Sequence, residues 1–276
     1  MSNASTIAAR PEFEALRARQ KSTWAAGDYA RIGVTLQMVG EQLCESLNLR
    51  AGSRVLDVAA GNGNATLAAA RRFAEVVSTD YVPALLAGGE ARARAEGHDV
   101  RFVEAAAESL PFDDAEFDYV LSSFGVMFAA DHRRAADEMV RVCRPGGAIG
   151  MANWTPGGFI GQLFKVVTRH VPPPAGAQSP LRWGTEEGLR ELFGDATELH
   201  TSVRHFVFRY RSAQHFVDMF RTWYGPVLRA FEALAPETRP ALEADLLTLV
   251  QQHNLSKDGG LVIPSEYLEV RAVRVK

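Results

Sequence analysis

The sequence predicts an α/β fold in which a parallel sheet carries helices on both faces. Short apolar segments alternate with helical segments over about 100 residues, the pattern of parallel strands joined by crossover helices. A glycine-rich turn at residues 61–63 stands where the first apolar segment gives way to a helix. The chain has 276 residues, of which 47% are hydrophobic and 23% charged, so it can bury a full core without disulfides.

Five strands and the helices between them are predicted in the first half of the chain. Pro83 is expected to open a helix, because a first helical turn does not need its missing N–H, and Asp131 is expected to cap another. The predicted strands are 54–59, 76–79, 100–103, 117–122 and 147–152. The predicted helices are 12–20, 32–47, 65–73, one from residue 83, and 131–144. The helix at 32–47 is predicted by one apolar stripe: Ile32, Leu36, Val39, Leu43 and Leu47.

The pattern changes after Trp154. Three consecutive prolines at 172–174 force an extended break. We expect helices at 159–169 and 185–192, a strand at 200–211, helical segments over 213–253, and one long or two short strands at 261–275.

Composition argues against several classes of protein. Thirty Lys and Arg against 33 Asp and Glu give a formal net charge of −3, so we expect no nucleic-acid partner bound through a broad basic field. The longest uncharged window, 145–164, is rich in Gly and Pro, so no membrane span is expected. No secretory signal is apparent, and two cysteines favour a reducing, cytoplasmic setting. Neither His nor Cys shows metal-ligand spacing, so no metal site is expected.

The glycine-rich turn is the sharpest local signal. Gly61 and Gly63 would let the backbone approach a ligand closely, and the helix that follows offers unpaired N–H groups. Asp80 ends the second predicted strand, where α/β nucleotide folds place a carboxylate against ribose hydroxyls. Taken alone, the two glycines have an alternative explanation: a tight turn requires them for its backbone conformation, without any ligand.

Four sequence blocks occur in order between residues 51 and 155. They are 55–63 (VLDVAAGNG), 78–80 (STD), 107–112 (AESLPF) and 138–147 (EMVRVCRPGG). Together they resemble the class I S-adenosylmethionine-dependent methyltransferases, in particular the type-11 branch that includes the ubiquinone and menaquinone C-methyltransferases. The resemblance is strong over residues 51–155 and weak outside them.

The resemblance implies a site for S-adenosylmethionine and its product S-adenosylhomocysteine. It implies that Asp57 holds the glycine loop, that Asp80 accepts both ribose hydroxyls, and that Tyr81 lies against the adenine. The other residues that it places around the methionine and ribose portions are Ala59, Gly61, Asn62, Gly63, Ser123 and Phe124.

One departure from the family pattern concerns the adenine. Family members often carry an Asp before the Leu-Pro-Phe block that accepts the adenine amino group, and this chain has only alanines before Glu108. The resemblance then implies that Ala106 and Ala107 contribute backbone at the adenine edge. Either Glu108 replaces the missing acceptor, or stacking and backbone hold the ring alone. One lost hydrogen bond would weaken binding by on the order of 1 kcal/mol.

The resemblance also implies the complete fold. This is a doubly wound, mostly parallel seven-stranded sheet in the order 3-2-1-4-5-7-6, with strand 7 antiparallel. N-terminal helices that form a lid would occupy residues 1–50 and a Rossmann-like cofactor-binding core residues 51–155. Cap helices and the last strands of the same sheet would occupy residues 156–276.

Aromatic residues concentrate between positions 206 and 231. Phe216, Phe220 and Trp223 lie at helical spacing, so much of this run is explained as ordinary core. An aromatic-lined substrate pocket is the alternative.

The segment Gly27-Asp28-Tyr29 is expected near the carboxyl ends of the strands, where ligands bind in open α/β sheets. Gly27 would act as a hinge, the Tyr29 hydroxyl would reach the methionine carboxylate, and Trp24 would seal the site. The alternative is that Trp24 and Tyr29 only attach the N-terminal helix to the rest of the chain.

The predicted function is S-adenosylmethionine-dependent methyl transfer to a small, apolar or aromatic molecule, in a protein that could form a homo-oligomer. A non-catalytic S-adenosylmethionine-binding protein is an alternative. An NAD-dependent oxidoreductase is less well supported, because Thr66 stands where its third glycine belongs. No catalytic residue is assigned; the candidate bases are His205, His215, Tyr210 and Tyr224.

Overall fold

The apolar segments of the first half form the five parallel strands that the alternation predicts. In the computed structural model, which describes residues 11–275, they are β1 (Arg54–Val58), β2 (Glu75–Asp80), β3 (Val100–Glu104), β4 (Phe117–Ser123) and β5 (Cys143–Trp154). Two longer strands, β6 (Thr197–Tyr210) and β7 (Leu261–Arg274), complete the sheet. Residues 1–10, predicted as part of the N-terminal helices, and residue 276, predicted as part of the C-terminal region, lie outside the described range.

Helices precede, separate and follow these strands. Before β1 lie α1 (Pro11–Trp24), α2 (Ala30–Gly33) and α3 (Gln37–Ser46). Between β1 and β5 lie α4 (Asn64–Ala70), α5 (Pro83–Ala95) and α6 (His132–Val142). The second half adds α7 (Phe159–His170), α8 (Glu186–Phe193), α9 (Ala213–Trp223), α10 (Gly225–Ala233) and α11 (Arg239–His253).

The sheet runs in the order β3-β2-β1-β4-β5-β7-β6, which confirms the implied order. Strands β1 to β5 pair in parallel, whereas β7 is antiparallel to both β5 and β6. Val55 of β1 lies in register with Val76 of β2 on one side and Tyr119 of β4 on the other. The chain order reverses between β1 and β4, and open α/β sheets bind ligands at the carboxyl ends beside such a switch point.

Both faces of the sheet are covered, so the central strands are buried on two sides. Leu43 of α3 and the alanines of α4, such as Ala68, pack with Val55 and Leu121 on one face. A larger core on the other face includes residues from α6, α7 and α9–α11. This double burial explains why residues 55–58 of β1 are all buried instead of alternating between buried and exposed.

Several predicted boundaries differ from the structure; the helix at 65–73, for example, ends at Ala70, and the strand at 147–152 begins at Cys143. The expected helix at 32–47 is interrupted by a 3₁₀ turn at Val34–Leu36. At that point the Asn64 side chain donates a hydrogen bond to the Gly33 carbonyl oxygen (2.6 Å), a tertiary contact that the apolar stripe does not encode. The predicted helix at 131–144 ends two residues early, because Cys143 is already extended as the first residue of β5. Asp131 caps α6 as predicted, accepting from the Arg134 N–H at 3.1 Å.

Candidate functional site

A cavity opens where β1, β2 and β4 end and the strand order reverses. Its empty space, including the open mouth, is about 840 Å³, which is in the range of small-molecule sites. What we call the polar end is lined by Ala59, Ala60, Gly61, Asn62, Asn64, Asp80, Tyr81 and Ser123. What we call the aromatic end is lined by Trp24, Tyr29, Phe124, Phe128, Trp154, Ile160, Phe208, Phe220 and Tyr224.

Asp57 anchors the glycine-rich turn from beneath. Its Oδ2 accepts hydrogen bonds from the backbone N–H (2.8 Å) and the hydroxyl (2.6 Å) of Thr66 in the first turn of α4. Gly61 (φ +57°) and Gly63 (φ +80°) adopt the left-handed conformation that favours glycine. Burial raises the pKa of Asp57 to about 7, although both bonds from Thr66 oppose the rise. The Oδ1 atom of Asp57 has no hydrogen-bond partner among the described residues.

Asp80 ends β2 beside the same turn. Its Oδ2 accepts from the Gly61 N–H at 2.9 Å, and its Oδ1 accepts from the Val82 N–H at 2.8 Å. The side chain lines the cavity but is only 5% exposed. This burial raises the pKa of Asp80 to about 6, against the opposing effect of the backbone N–H bonds. Each carboxylate oxygen retains acceptor capacity, so a ligand hydroxyl can still be bound.

Two asparagines connect the turn to its surroundings. Asn64 donates to the Gly33 carbonyl oxygen at 2.6 Å and accepts from Arg92 Nη1 at 2.9 Å. The same Arg92 nitrogen donates to the Asn62 carbonyl oxygen at 2.6 Å. Asn62 is 2% exposed, and its Nδ2 has no partner among the described residues. The turn is therefore held between α5 and the N-terminal helices.

The end of β4 lies directly against the glycine-rich turn. A Cβ at Gly125 would lie 2.0 Å from the Ala59 carbonyl oxygen, so no side chain fits there. Ala59 (φ 53°) and Phe124 (φ 59°) both have positive φ, which is an outlier for a residue as bulky as Phe124. Backbone strain of this kind clusters at ligand sites. The Phe124 ring stacks on Trp154 with centroids 3.9 Å apart, and thereby forms one wall of the aromatic end.

Trp24 closes the aromatic end by joining distant parts of the chain. Its ring contacts those of Phe128, Tyr29 and Tyr224 at centroid distances of 4.7, 5.5 and 5.7 Å. These T-shaped contacts are the favourable geometry for aromatic pairs. Trp24 and Tyr29 both line the cavity, as the lid hypothesis expects.

Two glycines bring the N-terminal segment into backbone contact with the α9–α10 junction. A Cβ at Gly27 would lie 2.8 Å from the Trp223 carbonyl oxygen, and one at Gly225 would lie 2.1 Å from the Thr23 carbonyl oxygen. Gly27 is thus required by close packing as well as by its positive φ of 70°. Movement of this segment as a lid stays a prediction.

The structure brings most of the predicted site residues to the cavity wall. Those that line it are Tyr29, Ala59, Gly61, Asn62, Asp80, Tyr81, Ser123 and Phe124. Asp57 and Gly63 lie behind the wall, within the glycine-rich turn and its anchor. Ala106, Ala107 and Glu108 do not line the cavity.

Glu108 has other partners. Its Oε1 accepts from the backbone N–H of Ala130 at 2.7 Å and of Asp131 at 3.3 Å, at the entrance to α6. The side chain is 4% exposed. Its carboxylate therefore supports the loop before α6, a role that the sequence did not suggest.

Sequence reasoning missed several lining residues. Trp154 had a usable signal, because it follows the predicted strand at 147–152 by two residues and ligands lie at the carboxyl ends of parallel strands. Ile160 and Asn64 had none, since each reaches the cavity through helix packing that no local pattern specifies.

The aromatic run at 206–231 contributes to both the core and the cavity wall. Phe208, Phe220 and Tyr224 line the cavity, whereas Phe216 and Phe231 belong to the core without lining it. Core and pocket are therefore not exclusive explanations of this run.

The candidate bases do not provide a proton acceptor in the cavity. His205, His215 and Tyr210 do not line it. Tyr224 does, but burial raises its pKa well above the ordinary value. Burial also raises the pKa of Tyr210 to about 12.

Within residues 11–275, no group of three or more His, Cys, Asp or Glu side chains is arranged to hold a metal ion. No helix in the described part of the chain combines the length and hydropathy that a membrane span requires.

Known proteins match both the core and nearly the whole chain. A family profile described as "Methyltransferase domain" matches residues 56–151. An uncharacterized protein of Mycobacterium tuberculosis is 41% identical over 248 residues, covering 88% of this chain and 90% of that protein. The demethylmenaquinone methyltransferase of Thermus thermophilus is 39% identical over 146 residues, covering 51% of this chain and 66% of that protein.

The crystal structure of the Bacillus subtilis YcgJ protein shares the fold, with a TM-score of 0.61, 18% identity, and coverage of 87% of this chain and 99% of that chain. The matched domain spans β1 to β5 and contains the glycine-rich turn and Asp80. Since the sheet order, the domain match and the relatives agree, this chain is a methyltransferase and belongs to the class I S-adenosylmethionine-dependent family, in its type-11 branch.

Proposed function

We propose that this methyltransferase binds S-adenosylmethionine at the polar end and transfers its methyl group to a small apolar or aromatic molecule at the aromatic end. The observation that carries the proposal is that both ends belong to one continuous cavity. A cofactor bound at the polar end would then lie beside a space walled by rings, which suits a hydrophobic acceptor.

The polar groups of this end fit the cofactor. A buried carboxylate at Asp80 suits the two ribose hydroxyls, and we propose that the Tyr81 ring lies against the adenine. Asp57 Oδ1 and Asn62 Nδ2 are a buried acceptor and a buried donor without partners. They match the amino and carboxylate groups of the methionine portion, reached directly or through water.

The remaining contacts are proposed from the same placement. The backbone at Ala59, Gly61 and Gly63 would pass beside the methionine and ribose portions, because the left-handed turn leaves room there. Ser123 and Phe124 would complete the methionine pocket from the end of β4, and the Tyr29 hydroxyl would reach the methionine carboxylate.

The adenine would be held without a carboxylate acceptor. Since Glu108 does not line the cavity and its Oε1 accepts two backbone N–H bonds near α6, we propose that stacking on Tyr81 holds the ring. A contact of the ring edge with the backbone at Ala106 and Ala107, which do not line the cavity either, stays a prediction. Loss of one acceptor weakens binding by on the order of 1 kcal/mol and leaves the site usable.

When bound, the cofactor supplies a methyl group on a positively charged sulfur that is already a good leaving group. The chain's own task is to align the acceptor with that group and to exclude water. Trp24 and Tyr224 cover the aromatic end, and Phe124 and Trp154 form a flat wall against which a planar acceptor can be oriented.

No residue of the cavity wall is assigned as a general base. Its ionisable side chains within the described range are Asp80, Tyr29, Tyr81 and Tyr224. Burial raises the pKa of all three tyrosines, so none takes a proton near neutral pH. The proposed methyl acceptor is therefore a molecule whose methylation does not require these tyrosines to remove a proton from it.

Isothermal titration tests the cofactor. S-adenosylhomocysteine is expected to bind and NAD is not, and at 100 times Kd a ligand that binds only the native state adds about 2.7 kcal/mol of stability. NAD binding without S-adenosylhomocysteine binding would refute the proposal.

A labelling experiment tests the acceptor class and separates an enzyme from a non-catalytic binding protein. The protein is incubated with methyl-tritiated S-adenosylmethionine and a bacterial extract, and the extract is then size-filtered. Label is expected in the small, organic-extractable fraction. Label confined to retained macromolecules, or no transfer at all, would contradict the proposal.

Two free, buried cysteines, Cys44 and Cys143, support a reducing compartment such as the cytoplasm as the proposed location.

A further inference from the structure

The aromatic end contains a hydroxyl that the proposed cofactor contacts leave unused. Tyr224 lines the cavity and is 4% exposed. Its hydroxyl makes no hydrogen bond within the described residues and is not fully buried, so it is open to the cavity. A tyrosine hydroxyl in a mostly apolar cavity takes water or a bound molecule as its partner. The space beside Tyr224 is the cavity, so a bound molecule is the natural source of that partner.

The two tyrosines at this end are neighbours, with ring centroids 6.2 Å apart, and they differ in what else they contact. The Tyr29 ring lies 3.7 Å from the position that a Cβ of Gly61 would take. Burial raises the pKa of Tyr29, and the nearby Tyr210 and Asp80 add to the rise. Tyr29 is therefore on the cofactor side. Besides Tyr29, the Tyr224 ring packs on Phe220 and Trp24, at centroid distances of 5.0 and 5.7 Å. Its hydroxyl is left for the acceptor.

The surroundings of Tyr224 determine which chemical group it suits. No Lys, Arg or His is among the described residues that line the cavity, so a carboxylate or phosphate would lose its water without gaining a counter-charge. The other hydrogen-bonding groups of the aromatic end beyond Tyr29 are the indole N–H groups of Trp24 and Trp154, which only donate. Burial keeps the Tyr224 hydroxyl protonated at neutral pH. These uncharged hydrogen-bond donors therefore suit a neutral oxygen atom that accepts hydrogen bonds.

We propose that Tyr224 determines substrate specificity by donating a hydrogen bond to a carbonyl oxygen of the methyl acceptor, so the substrate class is a small cyclic or aromatic carbonyl compound. This inference rests on the proposed function, because it takes the polar end as the cofactor site. A carbonyl held at Tyr224 fixes how the rest of the molecule points towards the polar end. The rings of Phe128 and Phe208 contact its hydrocarbon part.

Paired probes test the inference on the full chain saturated with S-adenosylhomocysteine. Acetophenone and ethylbenzene have the same ring and nearly the same size, and only acetophenone carries a carbonyl oxygen. Binding of both is measured by titration calorimetry and saturation-transfer NMR. Tyr224→Phe removes the hydroxyl and keeps the ring. The ratio of acetophenone to ethylbenzene affinity is expected to fall about tenfold in this variant, the size of one ordinary hydrogen bond.

Two matched variants separate this role from a general effect of losing a hydroxyl. Tyr119→Phe makes the same change outside the cavity and is expected to leave the affinity ratio unchanged. Tyr29→Phe is expected to weaken S-adenosylhomocysteine binding and to leave the ratio within twofold of the wild type. An unchanged ratio in Tyr224→Phe, or an equal fall in Tyr119→Phe, would overturn the inference.

The test distinguishes this inference from the function on which it rests. If the wild type binds S-adenosylhomocysteine but neither probe, the carbonyl site is refuted and the cofactor site stands. If the wild type fails to bind S-adenosylhomocysteine, the proposed function itself is refuted.

Discussion

Replacing Asp80 with asparagine should separate cofactor binding from folding. A carboxylate that accepts two ribose hydroxyls makes charge-assisted hydrogen bonds worth roughly 1.5–3 kcal/mol each. Asparagine has no charge and only one acceptor oxygen, and that oxygen is needed for the backbone N–H of Gly61 or Val82. Asp80→Asn is therefore expected to weaken S-adenosylhomocysteine binding at least tenfold at pH 7.5.

The same change should not destabilise the ligand-free protein. Burial raises the pKa of Asp80 from 3.8 to about 6, so the folded state disfavours the ionised form by about 3 kcal/mol. A carboxylate with a raised pKa contributes stability that is present below its unfolded pKa and is lost as the pH rises through about 6. Asparagine stays neutral and avoids that loss, which offsets the backbone hydrogen bond it gives up. The thermal midpoint of the variant is expected to be no lower than that of the wild type at pH 7.5.

The affinity should respond to pH in the opposite sense from this stability contribution. Only the ionised carboxylate accepts two hydroxyls, so wild-type affinity is expected to fall as the pH drops below about 6, approaching tenfold per pH unit. Burial raises the pKa of Asp57 to about 7, and any pH dependence that persists in Asp80→Asn is assigned to Asp57. Calorimetric titration from pH 5 to 8 measures both. A folded variant that binds as tightly as the wild type, or a flat wild-type profile, would refute the reasoning.

Three further predictions concern the walls of the cavity. Gly125→Ala places a Cβ 2.0 Å from the Ala59 carbonyl oxygen, so chemical denaturation should show that the free energy of unfolding falls by at least 1–3 kcal/mol. The control Gly88→Ala meets nothing within 4 Å, and its free energy of unfolding should rise by up to about 1 kcal/mol. Equal effects of the two substitutions would contradict the packing argument. Asn64→Ala removes the bonds to Gly33 and Arg92, so S-adenosylhomocysteine binding should weaken about tenfold by titration while the circular dichroism spectrum is retained; unchanged affinity would rule out the positioning role. Saturating S-adenosylhomocysteine should slow hydrogen exchange over residues 20–35 if this segment is a lid, and unchanged protection would rule the lid out.

The polar end was predictable because its signals are local. A buried strand, two glycines and a helix start are neighbours in sequence, and Asp80 follows by the simple rule that ligands lie at the carboxyl ends of parallel strands. The sheet order followed from the family resemblance, and the structure has that order.

The parts that escaped prediction depend on contacts between distant residues. The break in the 32–47 helix coincides with the bond from Asn64 to Gly33, thirty-one residues away. Glu108 looked like a substitute for a missing adenine acceptor, but it does not line the cavity, and its Oε1 accepts from two backbone N–H groups near α6. No periodicity or spacing reports such pairings, because they are decided by how finished elements pack.

The contact of Gly27 with Trp223 and of Gly225 with Thr23 has a consequence for how the protein folds. Closing the long chain segment between residues 27 and 223 carries a larger entropy loss than closing a short one, and contacts between residues far apart in sequence form slowly. The polar end is lined by residues 59–123 and depends mainly on local pairing of adjacent strands. The aromatic end is complete only when residues near position 24 meet residues near position 224. We therefore expect a growing or refolding chain to form the polar end before the aromatic end.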